Sequence, residues 1–355
     1  GQGAMSAYFD GTLDVKVSSG CDYVHDVAYN FNGTRLALCT SGQKIIIFDR
    51  NETLQWARSC EINEAHAAPI WRADWAHPEH GALLATCSED RAVIVWSENR
   101  GAARKSPLEP DSEAASSIPR WKVRSRLTDS THSAVRDVKF GPRRVGLKLA
   151  AAQMDGIVRV YEAGDVLNCS DWSNDEFQVF DKSSSSEAGD KVGCAALSWN
   201  PSSDLGQVGE VMAVIGYSGF LKIARRTGKK WELPWSAKAH PGGGKDVSWA
   251  PNLCRPYEVI ATCGCEKQVA VWKLSLDREE NALSIWTRLD AAVEPIWRVS
   301  WNATGTALAV APESGLVSLW KLDSSLKWIR TTDIQVNHEE ESRSRSAARP
   351  RDEGL

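Results

Sequence analysis

No apolar run in the sequence approaches the roughly 20 residues that a bilayer-spanning helix needs, so direct membrane insertion is not expected. The first residues, "GQGAMSAYFDG", lack the basic and apolar regions of a secretion signal, and residues 1–6 read as a cloning remnant or disordered lead. Charge of one sign is missing as well. The formal net charge is −4, which gives no reason to expect nucleic acid as a partner. Nine Cys are scattered, and Cys263 and Cys265 form a C-x-C with no second pair at zinc spacing, so no metal centre is expected. In a chain without a secretion signal these thiols read as reduced, and Cys39, Cys87 and Cys263 sit in apolar strand patterns as small core residues. The sequons at Asn32, Asn51, Asn168 and Asn302 then carry no meaning. Catalytic signatures are absent too: there is no G-x-S-x-G and no H-E-x-x-H. "HPGGGKD" (His240–Asp246) fails as a phosphate loop, with Ala239 in place of the first Gly and Asp246 in place of the magnesium-binding hydroxyl, and reads as a flexible loop. No enzyme, cofactor or catalytic residue is therefore expected.

What the sequence has is tryptophan, sixteen of them, and a repeat. "IWRADWAHPEHGALLATCSEDRAVIVW" (Ile70–Trp96) and "IWRVSWNATGTALAVAPESGLVSLW" (Ile296–Trp320) share one order: a short strand, a turn, a small-residue strand, a tight turn, and a strand ending in Trp. The same order recurs at Asp26–Phe48, Arg136–Tyr161, Ala195–Ile223 and Lys245–Trp272. The spacing of the closest third-strand ends lies near the roughly 40–45-residue period of WD repeats. Longer spacings contain inserts, one at Ser97–Pro119 and a Ser-rich one at Asp181–Gly189, that read as loops. Blade four departs from the pattern, ending "FLKIARR" without an aromatic.

Each copy also has a fourth strand candidate: Leu54–Ile62, Arg120–Leu127, Glu176–Phe180, Lys230–Ala239, Leu283–Asp290 and Leu326–Val336. Alternating apolar and polar residues mark several of these as half-buried outer strands, and no stretch of length competes as an amphipathic helix. Four antiparallel strands make one propeller blade, and a sheet that small buries its faces only by stacking on copies of itself. The chain thus reads as all-β: a six-bladed WD-repeat β-propeller across residues 7–336. The blades fall at about 22–62, 67–127, 133–180, 192–239, 244–290 and 294–336, followed by a disordered tail at 337–355 whose "SRSRS" run reads as solvated.

This count leaves Ala7–Val17 over, an extra N-terminal strand alternating at Leu13, Val15 and Val17. Two arrangements satisfy it. In the first, the ring is open and this strand is the outer strand of a further blade whose other strands come from another protein, an extended form of β-augmentation. The seam would then be lined by Leu13, Val15 and Val17 on one side and by Leu316, Val317, Leu319, Trp328, Ile329, Ile334 and Val336 on the other. In the second, Ala7–Val17 completes blade six, the ring closes on itself, and the segment near Trp328 packs elsewhere.

His66, His132 and His240 precede three repeats, and Asp90 and Asp155 occupy the matching turns of blades two and three. A His–Asp bond there, backed by Trp96, locks a WD blade, and its recurrence favours a structural over a catalytic role. Trp71, Arg72, Trp297 and Arg298 recur at equivalent positions. Aromatic–Arg pairs are typical hot spots, so a peptide or histone reader on this face is a reading from another class, against packing between blades with Arg–acid pairs.

From Tyr23 to about Trp328 the sequence resembles the Seh-type WD-repeat nucleoporins and, less closely, the WD-repeat subunit of the COPII outer coat. The segments that carry the likeness are Ile70–Trp96, "GLKLAAAQMDGIVRVYEAGDVLNCSDW" (Gly146–Trp172), "LSWNPSS" (Leu197–Ser203), "WAPNLCRPYEVIA" (Trp249–Ala261) and "IWRVSWNATGTALA" (Ile296–Ala309). The resemblance implies an open propeller that takes a blade in trans from an α-solenoid nucleoporin and joins other Y-complex subunits in the nuclear pore scaffold at the nuclear envelope, in support of protein and mRNA transport. It also implies a second setting, the vacuolar or lysosomal coat-like complex of amino-acid signalling. Homo-oligomers are not expected. The segment Asp171–Lys191 is individual to this chain, and contacts there do not carry over.

Overall fold

The computed structural model describes residues 22–99, 120–128, 133–166, 168–181, 193–201, 209–253, 255–276 and 282–334. Leu13, Val15, Val17, His132, Val336, most of both inserts and the tail lie outside the described residues.

Among the described residues, twenty-four strands form six four-stranded antiparallel sheets, each built from consecutive strands. Blade one is β1 (Val24–Tyr29), β2 (Arg35–Thr40), β3 (Ile45–Arg50) and β4 (Trp56–Ile62). Blade two is β5 (Ile70–Trp75), β6 (Leu83–Ser88), β7 (Val93–Glu98) and β8 (Trp121–Leu127). Blade three is β9 (Val135–Phe140), β10 (Lys148–Gln153), β11 (Ile157–Ala163) and β12 (Trp172–Gln178). Blade four is β13 (Cys194–Trp199), β14 (Val211–Gly216), β15 (Phe220–Thr227) and β16 (Lys230–Lys238). Blade five is β17 (Gly244–Trp249), β18 (Glu258–Gly264), β19 (Gln268–Leu274) and β20 (Leu283–Asp290). Blade six is β21 (Ile296–Trp301), β22 (Ala307–Pro312), β23 (Val317–Leu322) and β24 (Trp328–Ile334). Two single-turn 3-10 helices, Pro78–His80 and Arg143–Val145, punctuate the β5–β6 and β9–β10 turns.

The outer strand of blade three begins at Trp172, not at Glu176. Its run "WSNDEFQ" is almost wholly polar, so period-2 patterning hides it, yet it pairs with β11 from Ala163↔Trp172 to Ile157↔Gln178. Val179 and Phe180 leave the strand and turn into the core. Blade six is closed by its own β24, paired to β23 from Leu322↔Trp328 to Val317↔Ile334. The self-closed alternative, with Ala7–Val17 as the outer strand of blade six, therefore does not hold.

Burial explains the small residues of the second strands. Every residue of β6, β10, β14 and β18 is buried, because each sheet is covered on both sides by neighbouring blades. Close approach between sheets favours small residues such as Ala, Cys and Thr at several of these positions. Strand β22 is the exception: its burial alternates, with Ala309 and Ala311 only partly covered.

Each inner strand carries one irregularity at its second residue. The register skips His25, Trp71, Arg136, Ala195, Lys245 and Trp297 in turn. A bulge re-aims the side chains around it. The first residue of each inner strand is thereby set apart from the register shared by the third to the sixth.

"HPGGGKD" is a packed turn and not a flexible loop. Gly219 (φ +79°) accepts from the backbone N–H groups of Ala239 and His240, and Gly243 adopts φ +107°.

Candidate docking seam between blades six and one

Inner strands meet their successors around the ring, β1 on β5, β5 on β9, β9 on β13, β13 on β17 and β17 on β21. Among the described residues, β21 and β1 do not pack to that extent, although Arg298 of β21 bonds the His25 carbonyl of β1. The pairing register shows what each side of this seam presents. On blade six, Ser300, Ala309 and Leu319 share a face, and Val317 pairs with Ile334 on that same side. Ala309, Ala311, Val317 and Leu319 are partly covered, and Ser300, Ile329 and Ile334 are exposed. Their counterparts in blade five, Ala261, Cys263, Val269 and Val271, are completely buried. Leu316, at the start of this segment, is partly covered.

Blade one supplies the facing side. Val27 pairs with Leu38 and Tyr29 with Leu36, and these continue to Ile46 and Phe48. Leu36, Leu38, Ile46 and Phe48 cluster with Trp56 and with no residue of another blade, whereas the larger core clusters each join two blades. Val27 and Tyr29 are 49% and 60% exposed. None of these blade-one residues stands out in the sequence, because every blade is equally apolar on both faces.

Trp328 does not line the seam. Its ring meets Trp286 at 5.8 Å and Trp301 at 5.6 Å, on the side of blade six that packs against blade five. The register explains this: Trp328 pairs with Leu322, on the face opposite Leu319, and a shift between Leu319 and Trp320 separates the two halves of β24.

Side chains pin neighbouring inner strands in two alternating ways. In blades one, three and five the third residue is Asp. Asp26 accepts from the Ala73 N–H at 3.0 Å, Asp137 from Leu197 at 2.9 Å, and Asp246 from Val299 at 3.1 Å. Blades two and four use the fifth residue: Asp74 accepts from the Phe140 N–H at 2.7 Å and Ser198 from Trp249 at 3.0 Å. Blades two, four and six reach backward with the sixth residue. Trp75, Trp199 and Trp301 donate Nε1–H to the carbonyls of Ala28, Lys139 and Ser248 at 2.9–3.1 Å.

Two arginines brace the axis. Arg72 of blade two lies 2.9 Å from Asp246 of blade five and 3.9 Å from Asp137 of blade three. Burial works against its charge, but the surrounding carboxylates hold it firmly protonated. Burial also pushes Asp246 up to about 6 against the pull of Arg72, and Asp74 up to about 6 against that of Lys139. Arg298 of blade six donates to the His25 carbonyl at 2.9 Å and lies 3.4 Å from Asp26, so the seam is held at its axial end. Trp71 sits between the His25 ring, stacked at 4.5 Å, and the Arg136 guanidinium at 4.3 Å, and Lys245 lies 4.1 Å from the Trp297 ring. Arg72 pairs with acids inside the ring and Arg298 is tied to blade one, which favours pairing within the propeller over a reader on this face.

Away from the seam, blade two contains a buried relay. His66 Nδ1 lies 3.0 Å from Asp90, His66 Nε2 lies 2.8 Å from Thr86 Oγ1, and Trp96 Nε1–H donates to the same hydroxyl at 3.0 Å. Burial raises the Asp90 carboxyl, but the His66 bond and the Ala67 and Ala92 amides bring it well below the usual range. Blade five repeats the relay with His240, Thr262 and Trp272 at 3.0 Å each, and its acid is Glu266, 3.0 Å from His240 Nδ1. A search for Asp alone misses it. Asp155 in blade three accepts from the Ile157 N–H and lies 3.7 Å from Arg159.

Repeated four-stranded sheets with His–acid relays across their turns define a WD-repeat propeller, and residues 58–97 match the family model described as WD domain, G-beta repeat. Comparison with known proteins narrows this. The chain is 34% identical over 323 residues to Nucleoporin SEH1 of Osmerus mordax, covering 86% of this chain and 82% of that protein. It is 35% identical over 325 residues to the Danio rerio protein of the same name (86% and 83%), and 33% identical over 335 residues to the Homo sapiens one (89% and 86%). The chain belongs to the Nucleoporin SEH1 family.

Proposed function

We propose that the chain is a non-enzymatic scaffold subunit of the outer ring of the nuclear pore, the Y complex, and that an α-solenoid nucleoporin completes its propeller by inserting a blade between blades six and one. The observation that carries this is the uncovered side of blade six, where Ala309, Ala311, Val317 and Leu319 stay partly accessible at positions buried in blade five. On the other side, the one-blade cluster of Leu36, Leu38, Ile46 and Phe48 supplies an apolar wall. A β-rich insert that covers both walls gains hydrophobic burial on two faces at once, and an obligate interface of this kind buries more than about 2,000 Å². Leu13, Val15 and Val17 belong to the same reading as the chain's own contribution to the added blade.

Co-expression with the α-solenoid nucleoporin of the same organism, followed by size-exclusion chromatography with light scattering, tests the reading. A one-to-one complex is expected for the natural chain. Leu319→Asp, which places a charge on the partly covered side of blade six, is expected to abolish it without unfolding the free protein. A complex that survives Leu319→Asp unchanged would remove the seam from consideration.

A further inference from the structure

We propose that Arg298 and Ser300 select the inserted blade by reading its innermost strand, which carries an acidic residue at its third position and offers Ser300 the backbone N–H of its sixth. This rests on the seam reading above and adds what the partner's strand must look like.

The argument comes from the alternation of the ring. Blades one, three and five are of one kind, with Asp third in the inner strand; blades two, four and six are of the other, ending their inner strands in a Trp that reaches backward. In blades two and four the fifth residue, Asp74 or Ser198, accepts the N–H of the sixth residue of the next inner strand. Ser300 is the fifth residue of β21, has the same side-chain chemistry as Ser198, and is exposed. Its next inner strand is that of the inserted blade.

Arg298 gives the complementary half. It is the third residue of β21, as Arg72 is of β5. Arg72 faces the third residue of the following blade, Asp137. In the free chain Arg298 lies 3.4 Å from Asp26, the third residue of blade one, and a strand inserted between blades six and one would bring its own third residue to that place. Arg298 Nη2 already bonds blade one, but Nη1 is buried with no hydrogen-bond partner, and Arg298 is one of the residues lining the cavity beside Asp26, Val27 and Ser300. A buried guanidinium N–H left unpaired is costly, and a carboxylate is its strongest partner. An inserted blade of the first kind supplies one.

The test uses the co-expressed α-solenoid nucleoporin as probe and dissociation rate as readout. Arg298→Met is expected to speed dissociation about thirtyfold, the usual consequence of truncating one side of a buried charge pair. Ser300→Ala, at an exposed position that leaves the free fold intact, is expected to speed it about fivefold, as for one neutral hydrogen bond. Arg298→Glu is expected to block assembly until one Asp or Glu in the partner's innermost inserted strand is changed to Lys. Unchanged dissociation of both Arg298→Met and Ser300→Ala overturns the proposal, as does a failure of every acid-to-Lys exchange to rescue Arg298→Glu. Those failures leave the seam itself standing so long as Leu319→Asp still abolishes the complex. Survival of Leu319→Asp removes both.

Discussion

Thr86→Val probes how the blades hold their shape. The substitution keeps the side-chain outline and removes one hydroxyl at a completely buried position. That hydroxyl accepts from Trp96 Nε1–H and, with His66 Nδ1–H donating to Asp90, donates to His66 Nε2. Both partners are buried, so the exchange strands two polar groups at about 1–3 kcal/mol each. The added methyl returns about 1 kcal/mol. A net loss of about 3 kcal/mol is expected, read as the shift in a urea denaturation midpoint at unchanged slope. Thr262→Val should cost about the same, since Thr262 holds His240 and Trp272 in the same way, and the two should add because they share no partner. Thr40→Val is the control. Thr40 is equally buried, but its hydroxyl makes only long contacts with the Lys44 backbone, accepting from the N–H at 3.3 Å and donating to the carbonyl at 3.4 Å, and joins no relay, so about 1 kcal/mol or less is expected. If Thr86→Val costs no more than Thr40→Val, the relay does not hold the blade.

Three further outcomes follow from the same contacts. Gly219→Ala should destabilise by more than about 2 kcal/mol in thermal melts, because φ is +79° and the new methyl would collide with the His240 carbonyl. Trp328→Ala should cost about 3–5 kcal/mol and Ile334→Ala under about 1 kcal/mol in the free chain, since the first fills the blade five–six boundary and the second is exposed. Burial lowers the His240 pKa against the pull of Glu266, so the folded form binds fewer protons than the unfolded one below about 6.5. Its stabilising share is complete above that pH and drains as pH falls. His240→Gln should therefore lose less melting temperature than the natural chain between pH 7 and pH 5. Asp74 and Asp246, raised to about 6, act in the opposite sense in both proteins and cancel from the comparison.

The propeller was legible because its grammar is local: a W-R-x-x-W strand, a small-residue strand and a strand with an aromatic end recur in register along the chain. The outer strand "WSNDEFQ" was not, because an exposed edge needs no apolar period. The strand count pointed to a seam between the first and last blades, but the residue pattern did not show which side chains lie uncovered there. "ALAVAP" in β22 and "VIATCG" in β18 read alike, and only the presence or absence of a neighbouring sheet makes Ala309 partly covered and Ala261 buried. Trp328 shows the reverse problem. An aromatic on the last strand beside a seam invites assignment to the seam, and a register shift of one residue in β24 decides the side it faces. The alternation of blade kinds rests on which inner-strand side chains bond the neighbouring blade, which no hydrophobic period records, although the Asp at 26, 137 and 246 was visible as residue type.

The most direct test of the account is a structure of the chain bound to the α-solenoid nucleoporin proposed as its partner. It should show strands of the partner packed between β1–β3 on one side and β21–β23 on the other, with the Arg298 guanidinium against an acid of the innermost inserted strand. A complex in which the partner grips the rim, while blade one and blade six close directly on each other, would contradict it.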